Sequence, residues 1–161
     1  MKVKDVMKTD PVACQATDAV SDAVKLLKRN EISGMPVLDG EELVGIVSES
    51  DLLKMLSTED EGGLWLPSPL EILEVPIRDL IRWEKLQAGA EEVGQTQVSE
   101  VMTKKVHTVG PEDTIEQAAS VMVGHRINRL PVLEDDRLVG IVTRGDIIAG
   151  LGMGASEVEE G

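Results

Sequence analysis

The chain has 161 residues, a formal net charge of −14, and 42% hydrophobic against 29% charged residues. Phosphate backbones and anionic membranes are met by basic surfaces, so this acidity argues against nucleic acid or membrane as the main partner. A small nucleotide needs only a few local cations and is not excluded. The length supports one compact domain or two small ones. Phe and Tyr are absent and Trp occurs twice, so the core is expected to be built from Val, Ile, Leu and Met. Cys14 is the only cysteine, which rules out an intramolecular disulfide and a CxxC metal site. It reads as a small buried hydrophobe. There is no signal-peptide pattern and no apolar run of about 18 residues, so a soluble, cytoplasmic protein is expected.

In chain order, residues 12–14 read as a short extended stretch after Pro11. Asp18 is placed to cap a helix over 18–30, with Val20, Ala23, Val24 and Leu27 on one face. Residues 35–38 form an apolar strand, and Asp39-Gly40 is a hairpin signal. Residues 43–47 are apolar throughout, as in a strand covered on both faces. A short helix occupies 50–56. Residues 57–97 read as a helical insert, too long and too apolar for a linker. It holds a polar loop at 57–63, the turn Trp65-Leu66-Pro67-Ser68-Pro69, and an apolar stripe of Ile77, Leu80, Ile81, Trp83 and Leu86. Thr114-x-x-Gln117 forms a capping box ahead of Ile115, Ala118, Ala119 and Met122. Strands follow at 130–133 and 138–142, then a last helix from 146. Residues 155–161 read as an acidic, disordered tail.

The second set of elements repeats the first. Residues 6–53 align on 101–148 without a gap, at an offset of 95, and fourteen of the 48 positions are identical. The identities include Pro36-Val37-Leu38 on Pro131-Val132-Leu133 and Leu43-Val44-Gly45-Ile46-Val47 on Leu138-Val139-Gly140-Ile141-Val142. One structural unit is therefore used twice. Each copy is too small for a comfortable core of its own. The copies are expected to pack about a pseudo-two-fold axis, with a ligand cleft at the seam.

The segments 45–51 and 140–146 each put a glycine in a strand, a hydroxyl (Ser48, Thr143) at its end, and an aspartate (Asp51, Asp146) three residues on. One reading is a helix cap, in which hydroxyl and carboxylate satisfy free backbone N–H groups. The other is a ligand site. A helix N-terminus suits phosphate, and an ionised Asp accepts both hydroxyls of a ribose. The two readings are compatible.

With Val6-Met7-Lys8-Thr9, Val101-Met102-Thr103-Lys104, Gly34-Met35-Pro36-Val37-Leu38-Asp39 and Arg129-Leu130-Pro131-Val132-Leu133-Glu134, these segments resemble the CBS domain family, found as tandem pairs or Bateman modules. The resemblance implies an α/β (α+β) fold of two β-α-β-β-α motifs at 1–56 and 98–154, with the helical insert between them. It implies a non-catalytic regulatory protein that binds AMP, ADP, ATP or S-adenosylmethionine, with AMP foremost. Asp51 and Asp146 would hold ribose hydroxyls, with Ser48 and Thr143 near phosphate. Val12-Ala13 and His107-Thr108 would flank the adenine, walled by Ile32 and Ile127. Nucleotide-sensing members carry a basic residue two positions before the strand Pro. Arg129 matches it, whereas its counterpart is Gly34. Arg144 adds a cation where the first repeat has Glu49. The two sites are therefore expected to differ. Such modules commonly pair into a flat homodimer, a role the insert's apolar stripe would suit. No catalytic set and no metal cluster is expected, and His107 and His125 read as ordinary surface or packing residues. The alternatives are an interaction module without a physiological ligand, or a regulatory module related to inosine monophosphate dehydrogenase.

Overall fold

The computed structural model describes residues 1–56 and 94–159. The expected helical insert falls almost wholly outside them. The first repeat runs α1 (Val3–Val6), β1 (Lys8–Thr9), β2 (Cys14–Gln15), α2 (Val20–Arg29), β3 (Gly34–Asp39), β4 (Glu42–Ser48) and α3 (Glu49–Leu56). The second runs α4 (Val98–Val101), α5 (Ile115–His125), β5 (Arg129–Glu134), β6 (Arg137–Thr143) and α6 (Arg144–Glu159). The mixed α+β architecture agrees with the sequence reading.

Two small sheets form, in the orders β2-β3-β4 and β1-β6-β5. β3 pairs antiparallel with β4, Val37 opposite Gly45, and β5 with β6, Val132 opposite Gly140. Each hairpin carries an irregularity at the same place, after Val37 and after Val132. The Asp39-Gly40 signal is realised by Gly40 at φ +64°, and the matching turn puts both Asp135 and Asp136 in the left-handed region.

The repeats exchange their leading segments. β1 of the first repeat lies along β6 of the second, Lys8 opposite Ile141. At the 95-residue offset, Thr103 bridges Ile46. Backbone bonds obey the same offset. Val3 N donates to Asp113 O and Val98 N to Asp18 O, each at 2.8 Å. The cores are exchanged as well. Val3 is buried with Val109, Ile115, Met122, Leu130 and Val142. Val98 is buried with Cys14, Ala23, Leu27, Met35 and Val47. Each half-core is thus completed by a valine from the other repeat, and burying such a side chain contributes about 1.5–3 kcal/mol.

This exchange accounts for the glycine in each buried strand. A Cβ on Gly140 would lie 2.8 Å from the carbonyl of Lys8, and one on Gly45 would lie 3.0 Å from that of Thr103. The crossing backbone leaves no room for a side chain.

Two local expectations are corrected. Asp18 does not cap α2. Ala19 is the N-cap residue, and the Asp18 carboxylate accepts instead from Gln15 N at 2.9 Å. Asp113 does the same with Gly110 N at 2.7 Å. The carboxylate three residues downstream closes the turn before the helix rather than the helix itself. The tail read as disordered from residue 155 is helical in backbone through Glu159, a run of helix-compatible residues without proline. The Thr114–Gln117 capping box forms as expected, with Gln117 N donating to Thr114 Oγ1 at 3.2 Å. Cys14 is buried, and desolvation followed by the field of Asp18 pushes its thiol up to about 11, which leaves it unreactive.

Candidate ligand-binding site

A cleft of about 900 Å³ opens between the repeats and draws side chains from both. The first repeat supplies Ser48, Glu49 and Asp51. The second supplies Thr103, Lys105, His107, Ile127, Arg129 and Arg144. Met122, Ile127 and Ile148 give the cleft an apolar wall. Asp51 therefore faces the leading segment of the opposite repeat, a consequence of the strand exchange.

Asp51 is 7% exposed, the only buried charged side chain among the described residues. Its Oδ2 accepts from Ser48 N at 2.9 Å and Ser48 Oγ at 3.1 Å, while Oδ1 accepts from Thr103 Oγ1 at 2.9 Å. The helix-cap reading is thus realised. A carboxylate offers about four acceptor positions, so one lone pair on Oδ1 stays available. Asp146 repeats the cap, accepting through Oδ2 from Thr143 N and Thr143 Oγ1, both at 2.9 Å. The position matching Thr103 is Lys8, and Asp146 Oδ1 has no hydrogen-bond partner among the described residues.

The related pocket on the other side of the pseudo-axis holds only about 270 Å³. Ile32, Thr143 and Lys8 line it, together with Arg129 and Arg144. Arg129 thus borders both pockets. Its Nη2 donates to Ser33 Oγ and its Nε to Asn128 Oδ1 at 3.2 Å. The guanidinium lies over Gly34, where an added Cβ would sit 2.5 Å from Nη1. Arg129 and Gly34 are equivalent positions, and the absent side chain of one makes room for the long side chain of the other.

Of the twelve expected ligand-binding positions, Ser48, Asp51, His107, Ile127, Arg129 and Arg144 meet in the cleft. The other six do not. Ile32 and Thr143 line the small pocket, Ala13 and Thr108 lie on separate surface grooves, and Val12 packs against the first half-core. Asp146 is engaged in its cap. Sequence reasoning missed Lys105, Arg126, Thr103 and Asn128, all of which line the cleft. Lys105 and Arg126 stand where the first repeat has Asp10 and Glu31, the same charge difference that singles out Arg129 against Gly34 and Arg144 against Glu49. His107 stacks on His125 with ring centroids 3.5 Å apart and planes at 18°. Desolvation, then His125 and Lys105, hold the His107 imidazole below its ordinary range. Among the described residues, no group of three or more His, Cys, Asp or Glu side chains is placed to hold a metal ion, and no helix is long and apolar enough to cross a membrane.

Two intertwined repeats, each with a hydroxyl–aspartate cap at the start of a helix, define a tandem module. The chain belongs to the CBS domain family, whose profile matches residues 3–58 and 98–152. An uncharacterised protein of Methanocaldococcus jannaschii, MJ1426, is 43% identical over 154 residues, covering 94% of this chain and 91% of that one. The structure of CBSX2 in complex with AMP superposes with a TM-score of 0.66 at 27% identity, covering 94% of this chain and 97% of that one. An inosine-5'-monophosphate dehydrogenase of Korarchaeum cryptofilum is 30% identical over 146 residues, which cover 90% of this chain but only 22% of that protein.

Proposed function

We propose that the protein is a non-catalytic adenine-nucleotide sensor and that AMP is the ligand of the large cleft. The observation that carries this reading is the convergence there of a buried acceptor, Asp51, an apolar wall and four cations, on a chain of net charge −14. Asp51 takes the ribose, the wall around Ile127 takes the base, and Arg129, Arg144, Lys105 and Arg126 are at hand for phosphate. The cleft volume falls within the roughly 300–1,000 Å³ of small-molecule sites, whereas the small pocket falls below it. AMP therefore favours the cleft. The complex of CBSX2 with AMP supports the choice of ligand. A nucleotide that touches both repeats favours one arrangement of them over others, which is how binding becomes a signal.

Thermal unfolding with AMP, ADP, ATP, S-adenosylmethionine and NAD tests the reading. A ligand at 100 times its dissociation constant is expected to add about 2.7 kcal/mol of stability. Added salt is expected to weaken AMP more than adenosine, because it screens the phosphate. If none of the five raises the melting temperature, the reading fails.

We further propose a cytoplasmic homodimer. The insert assigned to pairing by sequence lies mostly outside the described residues, but α3 and α6 offer a surface of their own. Leu53 and Ile148, equivalent positions in the two repeats, are 48% and 61% exposed, Leu151 and Met153 are exposed on α6 as well, and Ile148 and Leu151 also line the cleft. A pseudo-symmetric apolar pair of this kind suits an isologous contact. Light scattering is expected to give about twice the 17.4 kDa chain mass. A value of one chain mass throughout the micromolar range contradicts it.

A further inference from the structure

Arg129 is a half-buried guanidinium with unspent capacity. It has five N–H donors, and its two hydrogen bonds go to neutral oxygens, on Ser33 and Asn128. No carboxylate lies within ion-pair distance of it among the described residues. Burial lowers its pKa, and the field of Glu49 opposes that shift without making contact. A desolvated cation so weakly compensated is poised for an anion. Yet its head is held across the pseudo-two-fold axis, on the first repeat, in space left by Gly34.

We propose that Ser33 and Gly34 park the Arg129 guanidinium across the pseudo-two-fold axis, and that a phosphate-bearing ligand in the cleft draws it off. Ser33 and Gly34 are then positioning residues, and Arg129 selects phosphate. The proposal rests on the nucleotide reading above and adds the residues that set its selectivity. One guanidinium serves two places, so parking competes with phosphate. The apparent affinity for a phosphate ligand is the intrinsic affinity reduced by the fraction of molecules whose arginine is free. Binding then also releases a contact between the two repeats, because Ser33 belongs to one and Arg129 to the other.

Gly34→Ala is the sharp probe. Gly34 has no positive φ, so alanine fits its backbone. The new Cβ meets chiefly the mobile end of Arg129, with Val47 O at 3.1 Å. Calorimetric titrations of the full chain with AMP, adenosine and inorganic pyrophosphate compare wild type, Gly34→Ala, Ser33→Ala, Arg129→Met and the Gly34→Ala/Arg129→Met double variant. Gly34→Ala is expected to bind AMP and pyrophosphate about three- to tenfold more tightly, with adenosine changed less than about twofold. Ser33→Ala is expected to tighten AMP in the same direction. Arg129→Met removes the preference for AMP over adenosine, and Gly34→Ala adds nothing in its background. The proposal is overturned if Gly34→Ala leaves AMP unchanged or weaker, or shifts AMP and adenosine alike. Wild type that binds pyrophosphate but neither nucleotide refutes the nucleotide reading while the pyrophosphate arm still tests the parked arginine. A wild type and variants that bind none of the three refute both.

Discussion

Replacing Asp51 by alanine is expected to weaken AMP binding by roughly 1.5–3 kcal/mol, the scale of a hydrogen bond to a charged group, or about ten- to a hundredfold. The same change removes the acceptor for Ser48 N and leaves Thr103 Oγ1 without its partner, so stability should fall by about 1 kcal/mol as for a lost helix cap. Asp146→Ala isolates the two roles. It loses an equivalent cap at Thr143 but does not line the large cleft. It should cost similar stability and leave AMP affinity nearly unchanged. Calorimetry and urea denaturation on both variants give the comparison. If Asp146→Ala weakens AMP as much as Asp51→Ala, or if the double variant retains wild-type affinity, the assignment of the ribose to Asp51 is wrong.

Removal of residues 1–9 is expected to destabilise the far end of the molecule. Val3 leaves the second half-core, the partial cover by Val6 and Met7 is lost, and β6 loses β1. Burial of one valine together with several backbone bonds amounts to on the order of 4 kcal/mol. Against a typical total of about 5–15 kcal/mol, such a loss leaves a marginal protein. The urea midpoint measures it. Leu130 and Val142 are the reporters, because both pack with Val3. Exchange protection retained on β5 and β6 with an unchanged midpoint would mean that the leading segment is only draped on the surface. Its ion pairs contribute little in comparison. Lys2 and Lys4 hold the Glu112 carboxyl down to about 2, but all three side chains are exposed to solvent and salt.

The fold was largely legible in the sequence because the repeat is ungapped. An offset of 95 residues carries the main helices and the hairpin strands from one copy to the other, and the aliphatic runs at 43–47 and 138–142 mark β4 and β6. What the offset does not state is which copy's segment pairs with which sheet. Lys8 is followed by its own repeat in sequence yet lies against Ile141. Three-dimensional exchange of this kind leaves no local mark except the glycines at 45 and 140, whose meaning is clear only once a crossing backbone is seen. The cleft was legible only in part for the same reason, because Asp51 and His107 meet there from opposite repeats. Ala13 and Thr108, which the family resemblance sets beside the adenine, line surface grooves outside the cleft, and Val12 packs on the first half-core. Lys105 and Arg126 lacked any motif and were visible only as charge differences between copies.

The exchanged segments also say what a lone repeat would need. Val3 and Val98 fill holes that their own repeats do not contain, and β1 pairs with a strand encoded more than 130 residues away. A molecule with a single copy would keep an open socket in its core and an unpaired strand. It would close both by trading its first residues with a second molecule of the same kind. The tandem chain is that reciprocal pair with a covalent tether, and the tether permits what two identical partners cannot have. One half can carry arginine where the other carries glycine, so that one pocket opens as its twin is filled.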